Sequence, residues 1–122
     1  MRQFLSSLDQ RSTLSATFAV VLLSIQPAPA CSAEPPAPVT AEMASFSWLK
    51  KNVFRSCAYC HTERQPHLLN HKSAMTAVIP GDPAGSRLYQ MVASGKMPPG
   101  PRLSDEKISA IYWWIFNGAE DN

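Results

Sequence analysis

Cys57-Ala58-Tyr59-Cys60-His61 constrains this chain more than any other stretch. Two thiols two residues apart, with a histidine immediately after, form the C-x-x-C-H pattern of covalent haem c attachment. Each thiol can form a thioether to one haem vinyl group, and the adjoining imidazole can supply a proximal nitrogen to the iron. A chain built around such a group must wrap a large apolar disc. A structural zinc site from the same three residues is excluded by spacing, because His61 adjoins Cys60 and the usual C-x₂-C…H separation is missing.

The full chain has 122 residues, enough for one domain. Its start reads as a secretory signal peptide over residues 1–33. Arg2 and Arg11 bracket a polar basic start, and Leu14–Ile25 is a charge-free apolar run of twelve residues. Ala28-Pro29-Ala30 then offers small residues for cleavage. The apolar run falls short of the ~20 residues a membrane-spanning helix needs. Without residues 1–33 the chain keeps nine Lys and Arg against eight Asp and Glu. That near-neutral balance gives no nucleic-acid footprint.

Cys31 is left over from the motif. It directly follows Ala30, where a bacterial lipoprotein carries its lipidated N-terminal cysteine. Ala28 and Pro29 depart from that pattern, which prefers a larger aliphatic residue and then a small one. Two outcomes stay open: membrane tethering through lipidated Cys31, or cleavage after Ala30 or Ala33 with a soluble product. Two acyl chains suffice for stable anchoring.

Residues 34–39 (EPPAPV) read as a proline-rich extended linker that trails or acts as a spacer. The first helix is expected over 41–56, with Thr40 as N-cap and Glu42 in the first turn. Met43, Phe46, Leu49 and Val53 make its apolar face. Pro66 stops any helix continuing from the motif, so 61–79 is expected to be a loop with a short turn. Asp82 and Pro83 are expected to start the next helix, which carries Leu88, Met91 and Val92 and ends at Gly95. Pro98, Pro99 and Pro101 exclude regular structure over 96–102. Ser104 caps a last helix with an apolar stripe of Ile108, Ile111, Tyr112, Ile115 and Phe116, closed by Gly118. Phe46 or Leu49 should pack against Ile111 or Ile115. One of Trp113 and Trp114 should face the first helix and the other be partly exposed. No stretch alternates with period two, so the expected class is all-α.

Taken in order, these motifs resemble a small bacterial class I c-type cytochrome over residues 40–122. A helix leads into C-x-x-C-H, and Pro80-Gly81-Asp82-Pro83 leads to a helix with Ser86, Leu88 and Tyr89. Gly95-Lys96-Met97-Pro98-Pro99 follows, and a final helix carries Trp114 and Ile115 before Gly118-Ala119. The resemblance implies three to four helices around one covalent haem c. It implies thioethers at Cys57 and Cys60, with His61 as proximal and Met97 as distal iron ligand. The soft thioether of Met97 favours iron(II), and Pro98 and Pro99 restrict the loop that carries it. Met43, Met75 and Met91 are rivals, Met75 the strongest since the other two sit on helix faces. His67 and His71 are further rivals, with solvated loop histidines the plainer reading. The second ring nitrogen of His61 is expected to donate to a backbone carbonyl, that of Pro66 by family pattern. Arg64, Arg87, Tyr89, Trp48, Trp113 and Trp114 are candidates for the haem propionates. Lys50, Lys51, Lys72, Lys96 and Arg102 could ring an exposed haem edge, although an ordinary solvated surface explains them better.

The implied function is one-electron transfer between redox partner proteins in the periplasm, by a carrier and not an enzyme. An alternative is a haem sensor or peroxidase-like enzyme with an open distal site, for which His67, His71 and Arg102 are the available side chains. A thiol-disulfide redox protein using Cys57 and Cys60 is the remaining alternative, and it lacks the expected βαβ setting.

Overall fold

The computed structural model describes residues 34–122. The signal peptide reading and Cys31 lie outside the described residues. The described residues are all-α: they form four helical pieces with no strand among them. None of the described helices is long and apolar enough to cross a membrane.

The first piece is made of α1 (Phe46–Leu49), a π-helical stretch (Lys50–Phe54) and α2 (Arg55–Cys57), joined through right-handed helical dihedrals. It starts later than its sequence predicts. Ala41–Ala44 forms turns, and the N-cap is Ser45, whose side chain accepts from Trp48 N–H at 3.2 Å. Ser45 Oγ also donates to Glu42 O at 2.6 Å, so the serine stabilises the turn before it and the helix after it. In the π stretch Arg55 N–H donates to Lys50 O. This widened turn brings residue i+5 over residue i. Phe54 therefore joins Phe46, Leu49 and Val53 in the core, while Met43, left in the preceding turn, is only half-buried.

The loop after the motif contains α3 (His71–Ala74), which passes into a 3₁₀ turn (Met75–Ala77). Asn70 caps α3 by accepting from Ser73 N–H at 3.0 Å. α4 (Arg87–Ala93) begins after Ser86 and not at Asp82. Asp82 Oδ1 is occupied by Gly85 N–H at 2.9 Å in a separate turn. The fully buried Ser86 hydroxyl accepts from Ile79 N–H at 2.8 Å and donates to Asp82 O at 2.7 Å, tying that turn to the start of α4. Gly95 ends the helix in the left-handed region, φ 73°, as its sequence predicts.

α5 (Asp105–Phe116) is capped by Ser104, with Asp105 and Glu106 in its first turn. Its buried face is Ile108, Ala110, Ile111, Trp114 and Ile115. Tyr112 and Phe116, predicted on that stripe, lie off it and stack on each other at 6.0 Å beside Trp113. Trp114 fills the centre of the core, with Phe46 and Phe54 rings at 5.6 and 6.3 Å. Trp113 is the partly exposed one and donates from Nε1 to Ala37 O at 3.1 Å. The proline-rich segment therefore does not simply trail: it is fastened to α5.

The last residues close the fold. Trp114 Nε1 donates to Glu120 O at 2.9 Å, and Asn122 Oδ1 accepts from Phe46 N–H at 2.9 Å. Asn122 O accepts from Ser47 N–H at 2.8 Å and from Ser47 Oγ at 2.6 Å.

Candidate functional site

A cavity of about 340 Å³ opens between α2, the loop after it, α4 and the Met-Pro-Pro loop. That lies within the roughly 300–1,000 Å³ range of small-molecule and cofactor sites. Cys57, Cys60, His61 and Met97 all line it. Its remaining walls are mainly apolar, with Leu68 from the loop after the motif, Leu88 and Val92 from α4 and Ile111 from α5.

Each site residue is placed by its local chain. The helix ends at Cys57, and the chain turns there: Cys60 N–H and His61 N–H both donate to Cys57 O, at 3.1 and 3.0 Å. This turn carries both thiols and the imidazole to the cavity wall. Cys57 is half-buried and Cys60 exposed, and both are free thiols. Burial pushes the Cys57 thiol above its ordinary value of 9.0, because desolvation disfavours the thiolate. Dithiol oxidoreductases instead depend on a lowered thiol pKa. Met97 follows the left-handed Gly95, and its N–H donates to Met91 O at 3.0 Å. Met97 is 39% exposed and lines the cavity.

His61 departs from expectation. Its Nδ1 is buried and has no hydrogen-bond partner, so Pro66 O does not receive it, although Pro66 lines the same cavity. The main chain of His61 is held instead. Its N–H is bonded to Cys57 O, and its carbonyl oxygen lies 3.0 Å from His67 Nδ1.

The rival ligands sort clearly. Met43 and Met75 do not line the cavity, and Met75 packs against the core. Met91 does line it, from the same helix as Leu88 and Val92. Neither His67 nor His71 lines it, and neither is a free surface histidine. His71 Nε2 donates to Ala119 O at 2.7 Å, and its ring packs edge-on against Phe46 at 4.9 Å. Of the candidates for anionic groups, Arg64 and Arg87 line the cavity, and Trp48, Tyr89, Trp113 and Trp114 do not. None of Lys50, Lys51, Lys72, Lys96 and Arg102 lines it; Lys50 lies over the Phe46 ring, and Arg102 pairs with Asp105 at 3.3 Å. Among the described residues no group of three or more His, Cys, Asp or Glu side chains could hold a metal ion.

Leu103 and Leu68 are among the wall residues that escaped the sequence reading. Leu103 stands just before the N-cap Ser104, the place from which an apolar residue often packs back on its helix, so its position carried a signal. Leu68 sits among polar residues and carried none.

The residues present fit a haem group on chemical grounds. Two thiols, an imidazole and a thioether converge on one apolar cavity, and Arg64 and Arg87 are among its lining residues. Comparison with protein-family models, with curated proteins and with solved structures gave no match.

Proposed function

We propose that residues 40–122 form a class I c-type cytochrome domain carrying one covalent haem c, and that the protein is an exported, periplasmic one-electron carrier. The observation that carries this is the arrival of Cys57, Cys60, His61 and Met97 at a single apolar cavity from two distant parts of the chain. A bound haem would supply an iron that gains and loses one electron.

The protein's own groups hold and surround it. Cys57 and Cys60 would hold it through thioethers to its vinyl groups, and His61 and Met97 would offer a nitrogen and a sulfur to its iron. Leu68, Leu88, Val92 and Ile111 keep water away and lower the local dielectric. Arg64 and Arg87 offer charge-assisted hydrogen bonds to carboxylates. No proton has to move, so the site needs no catalytic acid or base, and the protein acts as a carrier between donor and acceptor proteins. Cys31, if lipidated, tethers it to a membrane.

The sensor or peroxidase alternative gains no support from the cavity, since His67, His71 and Arg102 stand outside its lining. The thiol-disulfide alternative gains none from a Cys57 thiol pushed upward.

The test is the intact mass of the protein purified from cells that mature haem c. One covalent haem is expected, lost in Cys57→Ala/Cys60→Ala. A mass equal to the bare chain removes the proposal.

A further inference from the structure

The segment between the cysteine motif and α3 has almost no repeating backbone hydrogen bonds to hold it, yet Arg64, Gln65, Pro66 and Leu68 from it form part of the cavity wall. What holds it is a set of side-chain bonds centred on His67. The ring Nδ1 of His67 is 3.0 Å from His61 O, its N–H donates to Ser73 Oγ at 2.8 Å, and Asn70 N–H donates to its carbonyl at 3.1 Å. Ser73 Oγ in turn donates to Gln65 Oε1 at 2.9 Å. A carbonyl oxygen only accepts, so His67 Nδ1 carries the proton in this bond.

His61 thus has both main-chain groups bonded, to Cys57 on one side and to His67 on the other, while its ring Nδ1 has no partner. A metal-ligating histidine is ordinarily oriented by an acceptor on its second ring nitrogen. Here that device is absent, and the remaining restraint acts on the backbone beneath the ring.

We propose that His67 is a positioning residue for His61: its Nδ1–H clamps the His61 carbonyl, closes the 61–67 loop, and so fixes where the imidazole stands in the cavity. This rests on the haem reading of that cavity for its functional consequence, but the clamp itself does not. α3 belongs to the same device, because Ser73 anchors His67 from the other side.

The test compares the haem-loaded protein with His67→Leu, His67→Asn and Ser73→Ala, reading hydrogen exchange over 61–70 and the midpoint potential. The Asn side-chain amide can donate from about where Nδ1 stands, and Leu cannot. In His67→Leu, exchange should quicken about fivefold, the size of one net hydrogen bond, and the potential should move. His67→Asn should restore both. Ser73→Ala, which keeps the ring and removes the hydroxyl's bonds to the His67 N–H and to Gln65, should change both in the same direction but less, so a misfolded His67→Leu would not shield the proposal. Parental behaviour of His67→Leu or of Ser73→Ala overturns it, as does a His67→Asn variant as disturbed as His67→Leu. If no haem is taken up, the haem reading falls, and the exchange comparison still decides whether His67 holds His61.

Discussion

Cys57 and Cys60 are two residues apart and differ in how water reaches them. Cys60 is exposed, whereas Cys57 is half-buried against the end of its helix with its thiol pKa raised by desolvation. The thiolate is the reactive form toward alkylating agents. In haem-free protein at neutral pH, iodoacetamide should therefore modify Cys60 first, with Cys57 catching up only as the pH is raised. Peptide mapping after timed quenching reads this directly, and equal rates would contradict the burial of Cys57. The same shift has a sign for stability. A thiol whose folded pKa is raised contributes fully below its unfolded value and loses that contribution as pH rises through the folded one, so haem-free protein should weaken on the alkaline side. Cys57, Cys60 and His61 all line one cavity, and that they belong together was legible from their spacing. The roles of His67 and His71 were not. They depend on acceptors supplied by folding, one of them 48 residues away.

At the scale of elements, sequence signals worked where the determinants were local. Ser104 caps α5 with acidic residues after it, and Gly95 turns the chain after α4. They failed where a distant group competed. Thr40 and Glu42 form a plausible helix start, but Ser45 and Asn122 together satisfy the first N–H groups of α1 and set the start there. Asp82 likewise gives its carboxylate to Gly85, and α4 starts after Ser86. Asn122→Ala should therefore destabilise the protein by about 1 kcal/mol, the ordinary cost of losing a helix cap. Urea unfolding followed by far-ultraviolet circular dichroism measures it. An unchanged midpoint would mean that water replaces Asn122 without loss.

At the scale of the whole molecule, the helical class and the pairing of the first and last helices could be read from apolar periodicity, and Trp114, Phe46, Leu49, Ile111 and Ile115 do share one core. The phase of α5 could not. Tyr112 and Phe116 keep the helical repeat, but the rings of Phe46 and Phe54 receive Trp114, and this turns the other aromatics outward. The π stretch that adds Phe54 to the core is equally invisible to a search for a period of 3.6 residues. What the fold achieves is a cavity whose thiols and imidazole come from the end of α2 and the turn after it and whose thioether comes from a loop after α4. The placement of Met91 in the same wall makes it the sharpest control. The most direct measurement is the ferric absorption spectrum of the haem-loaded protein, read at the weak long-wavelength band of sulfur-to-iron charge transfer. The expected result is a low-spin spectrum with that band, lost in Met97→Ala and kept in Met91→Ala. A high-spin ferric spectrum without the band, or a band that survives Met97→Ala, would contradict an electron carrier ligated by His61 and Met97.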